Sequence, residues 1–228
     1  MTRSSPTYPK AVFCDFDGTI TAVETFAGML KEFAPETAAE VMPALYERRL
    51  TLRDGVRQML EAVPSARYAE ALAYADDKPV RSGFVELVSF LEEREIPLII
   101  VSGGLREMVE RVLNRLDVQG KSLRDRVTDI IAVEVEMGGE FLRVPPQVFE
   151  GETELIGKVQ VMAKYPALQQ IAIGDSVTDI NMALEADVVF ARDRLVDYLE
   201  AEGKSYIAWE NFFDIRDRLL QLPVTSKQ

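Results

Sequence analysis

Asp15 and Asp17 stand one residue apart in the stretch Val12-Phe13-Cys14-Asp15-Phe16-Asp17-Gly18-Thr19-Ile20-Thr21. Alternation along an extended chain puts both carboxylates on one side. Carboxylates that close repel, so a stable arrangement needs a cation between them or a shared proton. Gly18 lets the backbone turn and present N–H groups, at Phe16 and Gly18, to an anion. The set suits a divalent metal facing a phosphate; the plain alternative is an acidic turn closing a strand. Asp15 can attack phosphorus to form an aspartyl-phosphate. Asp17 can protonate the leaving oxygen and then activate water. Only one carboxylate can lie in line with the phosphorus, so the spacing divides the two roles.

Three further clusters fit the same chemistry. Ser102 and the N–H of Gly103 can bind a non-bridging phosphate oxygen, although Ser102-Gly103-Gly104 also reads as a plain strand-to-helix turn. Lys158 can supply positive charge to the phosphate, or serve as a solvated lysine. Asp175, with Asp15 and a backbone carbonyl at Asp17, makes an oxygen-only ligand set of the kind Mg²⁺ prefers. Asp179 can hold a metal-bound water or Lys158; as a first-turn helix carboxylate it is also favoured by the helix dipole.

These residues need elements to position them. Ala11 to Cys14 is a short apolar run that predicts a buried strand. Helical spacing follows through Val23, Phe26, Ala27, Leu30 and Phe33, with Pro35 as punctuation. Further helices are predicted over Glu36 to Arg49, around Val56, Met59, Leu60 and Val63, and over Ala66 to Tyr74. About sixty residues after the first strand thus read as a helical insert. Its methionines, Met29, Met42 and Met59, can line an apolar pocket or fill the insert's own core.

Beyond the insert, a helix from near Ser82 leads to a continuous apolar run, Ile96 to Val101, of the kind expected for a central parallel strand. Leu105 to Leu116 reads as a helix and Ile130 to Val135 as a strand. Gly138-Gly139 is a hairpin signal before Phe141 to Val144. A helix carrying Lys158 precedes the strand Gln170 to Ile173, and Lys164 on it reads as solvent-exposed. Ile180 to Glu185 is a short helix, Val188 to Ala191 and Ser205 to Ala208 are strands, and Asn211 can cap a last helix. Strands alternating with helices predict an α/β fold with a doubly wound parallel sheet. The site of such a sheet lies beyond the carboxyl ends of its strands. Three strand ends here carry polar clusters.

Composition narrows the chemistry. There is no histidine among the 228 residues, which excludes Ser-His-Asp and Cys-His catalysis and His-ligated zinc. Any general acid or base is Asp, Glu, Lys, Tyr or Cys. Net charge is −12, from 26 basic and 38 acidic residues, which argues against nucleic-acid partners and anionic membranes. A single cysteine, Cys14, allows no disulfide within the chain. Met1 to Lys10 is polar with no signal-peptide core, and no apolar run has membrane-spanning length. A soluble, cytoplasmic protein is expected, as a monomer or homodimer.

The motifs resemble those of the haloacid-dehalogenase-like phosphatase superfamily. Asp15-Phe16-Asp17-Gly18-Thr19, Ser102, Lys158 and Gly174-Asp175-x-x-x-Asp179 match its four signatures in order. The resemblance implies a catalytic core over 1–20 and 80–228 with a helical cap over 21–79. It also implies a Mg²⁺-dependent phosphomonoesterase of small metabolites, with metal ligands at Asp15, Asp17, Asp175 and Asp179. Within the superfamily the chain resembles the branch shared by phosphoserine phosphatase and the methylthiopentenyl-phosphate phosphatase of methionine salvage. Leu52-Arg53-Asp54-Gly55-Val56, Ile100-Val101-Ser102-Gly103-Gly104 and Phe190-Ala191-Arg192-Asp193 are similar to the salvage enzyme. Glu24 matches an acidic cap position of the branch. Met59 falls where phosphoserine phosphatases carry an arginine for the substrate carboxylate, which favours a thioether-bearing substrate. Two alternatives stay open: phosphoserine phosphatase, with Arg57 or Arg53 meeting the carboxylate, and a catalytically silent phosphate-binding regulator.

Overall fold

The computed structural model describes residues 8–222 apart from 48 and 119. The polar stretch before Tyr8, and Arg48 in the second predicted helix, lie outside the described residues. The first strand, β1 (Tyr8–Cys14), is buried from Lys10 onward, as its unbroken apolar run requires. Four helices follow: α1 (Thr25–Phe33), α2 (Pro35–Tyr46), α3 (Leu52–Leu60) and α4 (Tyr68–Ala73). Pro35 opens α2 rather than merely ending α1, since a first-turn residue needs no N–H donor. Thr51 caps α3 by accepting the Asp54 N–H at 3.0 Å. Gly55 lets α3 lie close to α2, because a Cβ there would come within 2.6 Å of Leu45.

The remaining elements are α5 (Phe84–Glu93), β2 (Leu98–Leu105), α6 (Arg106–Asn114), β3 (Asp117–Val118), β4 (Lys121–Ser122), β5 (Asp129–Val133) and α7 (Lys158–Lys164). They continue through β6 (Ala167–Gly174), α8 (Ile180–Glu185), β7 (Val188–Ala191), α9 (Asp193–Glu202), β8 (Ile207–Ala208) and α10 (Phe212–Gln221). Six strands form one parallel sheet in the order β5-β2-β1-β6-β7-β8, flanked by helices. The chain winds outward from β1 to β5, then returns to β1's other side with β6. The point where the order reverses therefore lies between β1 and β6, where ligands of open α/β sheets bind. The two connections to the helical insert pair with each other through an antiparallel bridge between Thr21 and Val80.

Three details depart from the expected elements. Strand β2 runs on through Ser102-Gly103-Gly104, with a shift of register against β5 between Val101 and Leu105. The glycines kink a strand end instead of terminating it. The Gly138-Gly139 turn forms only a single bridge, Glu136 to Arg143. Phe141 pairs instead with Pro64 of the insert. Helix α9 had no clear periodic signal, because only Leu195 and Leu199 are buried on it. Lys164 is half-exposed, as expected, and pairs with Asp129 at 3.2 Å.

Gly83 joins the insert's return to α5. It has φ +83°, and a Cβ there would lie 2.6 Å from the Phe213 backbone nitrogen. Phe84 meets Phe212 across the same junction, with ring centroids 5.0 Å apart. Gly83→Ala is expected to lower stability by more than about 1 kcal/mol, from left-handed strain plus displacement of α10. Urea unfolding checks this: the midpoint should fall with an unchanged slope.

Candidate active site

Cys14 and Ile173 are partners in the β1–β6 ladder. The next residues, Asp15 and then Gly174-Asp175, leave the sheet side by side, and the Asp15 N–H donates to Ile173 O at 3.0 Å. Lys158 opens α7 and reaches both sides of this junction. Its Nζ donates to Asp15 Oδ1 at 2.5 Å and to Asp179 Oδ1 at 2.6 Å. All three side chains are at least 95% buried. A lysine in a helix's first turn faces the positive end of the dipole, so only these carboxylates account for its place.

The second oxygen of Asp179 accepts the N–H groups of Asp175 at 3.0 Å and Ser176 at 3.1 Å. The motif is thus a capping box at the helical turn that leads into α8. Carboxylate oxygens of Asp15, Asp175 and Asp179 all lie within 4.8 Å of one another. Burial pushes the Asp15 carboxyl well above the usual carboxylate range, Asp179 adds to the rise, and Lys158 opposes it. Burial likewise, with Asp179 beside it, pushes Asp175 up to about 7. Burial works against the Lys158 ammonium, but Asp15 and Asp179 outweigh it and raise its pKa. Three buried carboxylates face one ammonium, so the cluster is short of positive charge. Its donors are all oxygens, which fits a small hard divalent cation held by Asp15 and Asp175.

Two glycines are fixed by these carboxylates. A Cβ on Gly174 would lie 2.5 Å from the Asp179 carboxylate, and one on Gly18 would collide with that of Asp175. Gly18 also has φ +79°. Its N–H, expected to face an anion, donates to Thr21 Oγ1 at 3.2 Å. Among the described residues, the N–H groups of Phe16, Asp17 and Thr19 have no protein acceptor. Ser102 is buried; its Oγ accepts the Gly104 N–H at 2.9 Å and lies 3.5 Å from Asp17 Oδ2. Gly103 borders open space, since a Cβ there would meet nothing within 4 Å.

Asp17 turns toward the insert. Its Oδ1 accepts the Phe26 N–H at 2.9 Å and the Thr25 hydroxyl. The N-terminus of α1 has no cap from Glu24; a carboxylate from the sheet supplies it instead. Burial raises the Asp17 pKa, against the pull of Thr25 and Phe26. Glu24, open to solvent on one side, still faces this cluster. Lost hydration, then Asp17, Asp175 and Asp179, push its carboxyl up to about 7.

The other residues singled out from the sequence do not join the cluster in the same way. Met59 is buried on α3 with Gly55 and Leu60, within the apolar core. Arg57 donates to Val144 O and pairs with Glu150 at 2.8 Å. Arg53 pairs with its neighbour Asp54 on the surface. The segment leading into α7 is bound to the insert by further contacts. Leu142 N–H reaches Val63 O, Ser65 N–H reaches Glu140 O, and Arg53 N–H reaches Thr153 O, at 2.9, 2.9 and 2.7 Å. Sequence reasoning passed over Thr19, whose hydroxyl donates to Asp175 Oδ1 at 2.8 Å. It also passed over Thr25. Both sit within ten residues of Asp15, and only the fold shows where their hydroxyls point.

The family model of haloacid dehalogenase-like hydrolases matches residues 12–184, a span that includes every residue of this cluster. A 2-hydroxy-3-keto-5-methylthiopentenyl-1-phosphate phosphatase of Microcystis aeruginosa (strain NIES-843 / IAM M-2473) is 59% identical over 211 residues, covering 92% of this chain and 98% of its own. A protein of the same name from Bacillus cereus (strain AH187) is 31% identical over 222 residues, covering 92% and 96%. Among solved structures, a phosphoserine phosphatase holding an analogue of the phospho-aspartyl intermediate superposes with a TM-score of 0.67 at 17% identity. That superposition covers 95% of this chain and 100% of the other. The chain belongs to the haloacid dehalogenase-like hydrolase family and is an enzyme of its phosphatase type.

Proposed function

We propose that this chain hydrolyses 2-hydroxy-3-keto-5-methylthiopentenyl-1-phosphate through an aspartyl-phosphate on Asp15, with Mg²⁺ as cofactor. The observation that carries the reading is Lys158, buried between Asp15 and Asp179 with Asp175 beside them. In this reading Asp15 is the nucleophile, and Lys158 holds it ionised and oriented. Asp17, fixed by Thr25 and Phe26, hands a proton to the leaving oxygen and later takes one from water. The N–H groups of Phe16 and Asp17, with Ser102 and Gly103, bind the phosphoryl oxygens. Asp15, Asp175 and the Asp17 carbonyl would hold Mg²⁺, and Asp179 would act through Lys158 or a bound water. When bound, Mg²⁺ neutralises charge on the phosphoryl oxygens.

Residues 21–79 are read as the lid that excludes water and chooses the substrate. Support for the salvage substrate comes from the 59% identical relative of that name. It comes also from the engagement of Arg57 with Val144 and Glu150, which commits two of its five N–H donors within the protein. Burying an unpaired carboxylate is costly. A buried, unpaired thiol at Cys14 accords with action in a reducing, cytoplasmic setting.

Asp15→Asn removes the nucleophile with little change of shape. Turnover is expected to fall by about three orders of magnitude or more, with the circular dichroism spectrum unchanged. Retained activity would overturn the covalent route. Specificity is tested by kcat/KM for the salvage enol-phosphate against phosphoserine. The former should be preferred, and Met59→Arg should narrow the gap; a wild-type preference for phosphoserine would overturn the assignment.

The metal reading has a pH signature. Burial and the neighbouring Asp179 push Asp175 up to about 7 in the fold, against about 4 for free carboxyls. The folded apo protein therefore binds more protons than the unfolded chain between about pH 4 and 7, and loses stability as pH rises through that window. Mg²⁺ binding needs the ionised carboxylates. The Mg²⁺-induced rise in Tm should accordingly be larger at pH 8 than at pH 5.5. An equal or smaller rise at pH 8 would count against Asp175 as ligand.

A further inference from the structure

Arg81 is where the chain re-enters the sheet after the insert. Its sequence setting, Pro79-Val80-Arg81-Ser82-Gly83, carries no motif. In the structure it grips the turn that follows β1. Its Nε donates to Thr19 O at 3.0 Å and its Nη2 to Gly18 O at 2.5 Å. Its backbone N–H donates to Ile20 O at 2.8 Å. One residue thus holds three consecutive carbonyls. A guanidinium presents donors in a rigid fork and can fix two neighbouring carbonyls together; an ammonium is a single point of attachment. The guanidinium is itself seated on the Trp209 ring at 5.4 Å, and Arg192 sits on the same ring at 5.1 Å.

The turn so held is in contact with Asp175. Thr19 donates its hydroxyl to Asp175 Oδ1, and Gly18 packs against the same carboxylate. The Gly18 and Thr19 carbonyls are taken up by Arg81. Among the described residues Arg81 forms no ion pair with Asp15, Asp17, Asp175 or Asp179; it feels the Asp175 charge at longer range, and its hydrogen bonds all go to the turn.

We propose that Arg81 is a positioning residue for the cation site: by clamping the Gly18–Ile20 carbonyls it fixes Thr19, and through Thr19 the placement of Asp175 opposite Asp15. The inference rests on the Mg²⁺-dependent reading above. Because Arg81 lies on the insert's return connection, beside the Thr21–Val80 bridge, it also ties the insert's anchorage to the metal-binding face.

The test is calorimetric titration of the metal-free full chain with Mg²⁺, alongside kcat and KM at saturating Mg²⁺. In Arg81→Met the Mg²⁺ dissociation constant is expected to rise about 10- to 100-fold. At saturating Mg²⁺, kcat should be lower while KM for the phosphate ester changes by less than about threefold. Arg81→Lys should fall between, because it keeps the charge and one donor, and it carries the test if Arg81→Met does not fold. Thr19→Val should shift Mg²⁺ affinity in the same direction, and combining it with Arg81→Met should add little, since both act along one chain of contacts. Arg192→Gln, which touches the ring but not the turn, should leave Mg²⁺ affinity as it is. An unchanged Mg²⁺ constant in Arg81→Met and Arg81→Lys, an equal shift in Arg192→Gln, additive effects with Thr19→Val, or a wild type that binds no Mg²⁺ would each overturn the inference. A wild type that binds Mg²⁺ yet hydrolyses no phosphate ester would sink the phosphatase reading, and the titration would still decide on Arg81.

Discussion

A lysine ammonium buried between two carboxylates is the constraint on which the rest of this structure depends. Lys158 meets Asp15 and Asp179 where all three side chains are almost wholly buried. Removing one partner from such a set leaves an uncompensated buried charge, at a cost of about 3–5 kcal/mol. The surroundings are shaped to prevent that. Strands β1 and β6 must be neighbours so that Asp15 and Asp175 leave the sheet together. Gly174 must lack a side chain so that Asp179 can fold back over it. Asp179 must be held by two backbone N–H groups, which keeps one oxygen on Lys158. The arrangement still holds an excess of negative charge. That is a poor design for stability alone and a fitting one for binding a cation and then a phosphate.

The helical insert is joined to this centre by polar contacts as well as by apolar packing. Asp17 takes the place of an N-cap for α1, so the carboxylate assigned acid–base work is oriented by the insert's first turn. Arg81 grips the neighbouring turn from the insert's other connection. On the far side, Arg57 and Glu61 of the insert engage Val144 and Glu150 in the segment that leads to Lys158. The insert thus reaches the acid–base carboxylate and the approach to the lysine, and Arg81, just beyond its return connection, reaches the nucleophile's turn. An insert bound at these points is placed to make site geometry depend on its own position.

The parallel sheet and the helical insert were legible in the sequence because both rest on local periodicity. An unbroken apolar run such as Ile96 to Val101 has few alternatives to a central strand. The Asp15-x-Asp17-Gly18 and Gly174-Asp175-x-x-x-Asp179 motifs were legible for another reason. Two carboxylates beside a glycine are costly without a cation, so the residue types already state a chemistry. Lys158 was legible only by its place before the strand leading to Asp175. The kinked end of β2 and the single bridge after Gly138-Gly139 were not, because each is decided by a neighbour distant in sequence; helix α9 was not, because it buries only Leu195 and Leu199.

What only the tertiary structure decided is which way each polar group points. The Gly18 N–H went to Thr21, while those of Phe16, Asp17 and Thr19 have no protein acceptor among the described residues; composition cannot distinguish adjacent amides. Arg57 went to Val144 and Glu150, 87 and 93 residues away by number and adjacent in space. Met59 went into the insert's apolar core. Thr19, Thr25 and Arg81 are ordinary residue types whose partners are fixed by the crossing of chain segments. The sequence by itself determined the sheet, the insert and the acidic chemistry, because period and charge are local properties. Donor and acceptor direction is a property of the closed fold, since a hydrogen bond has meaning only once both partners have been brought within about 3 Å.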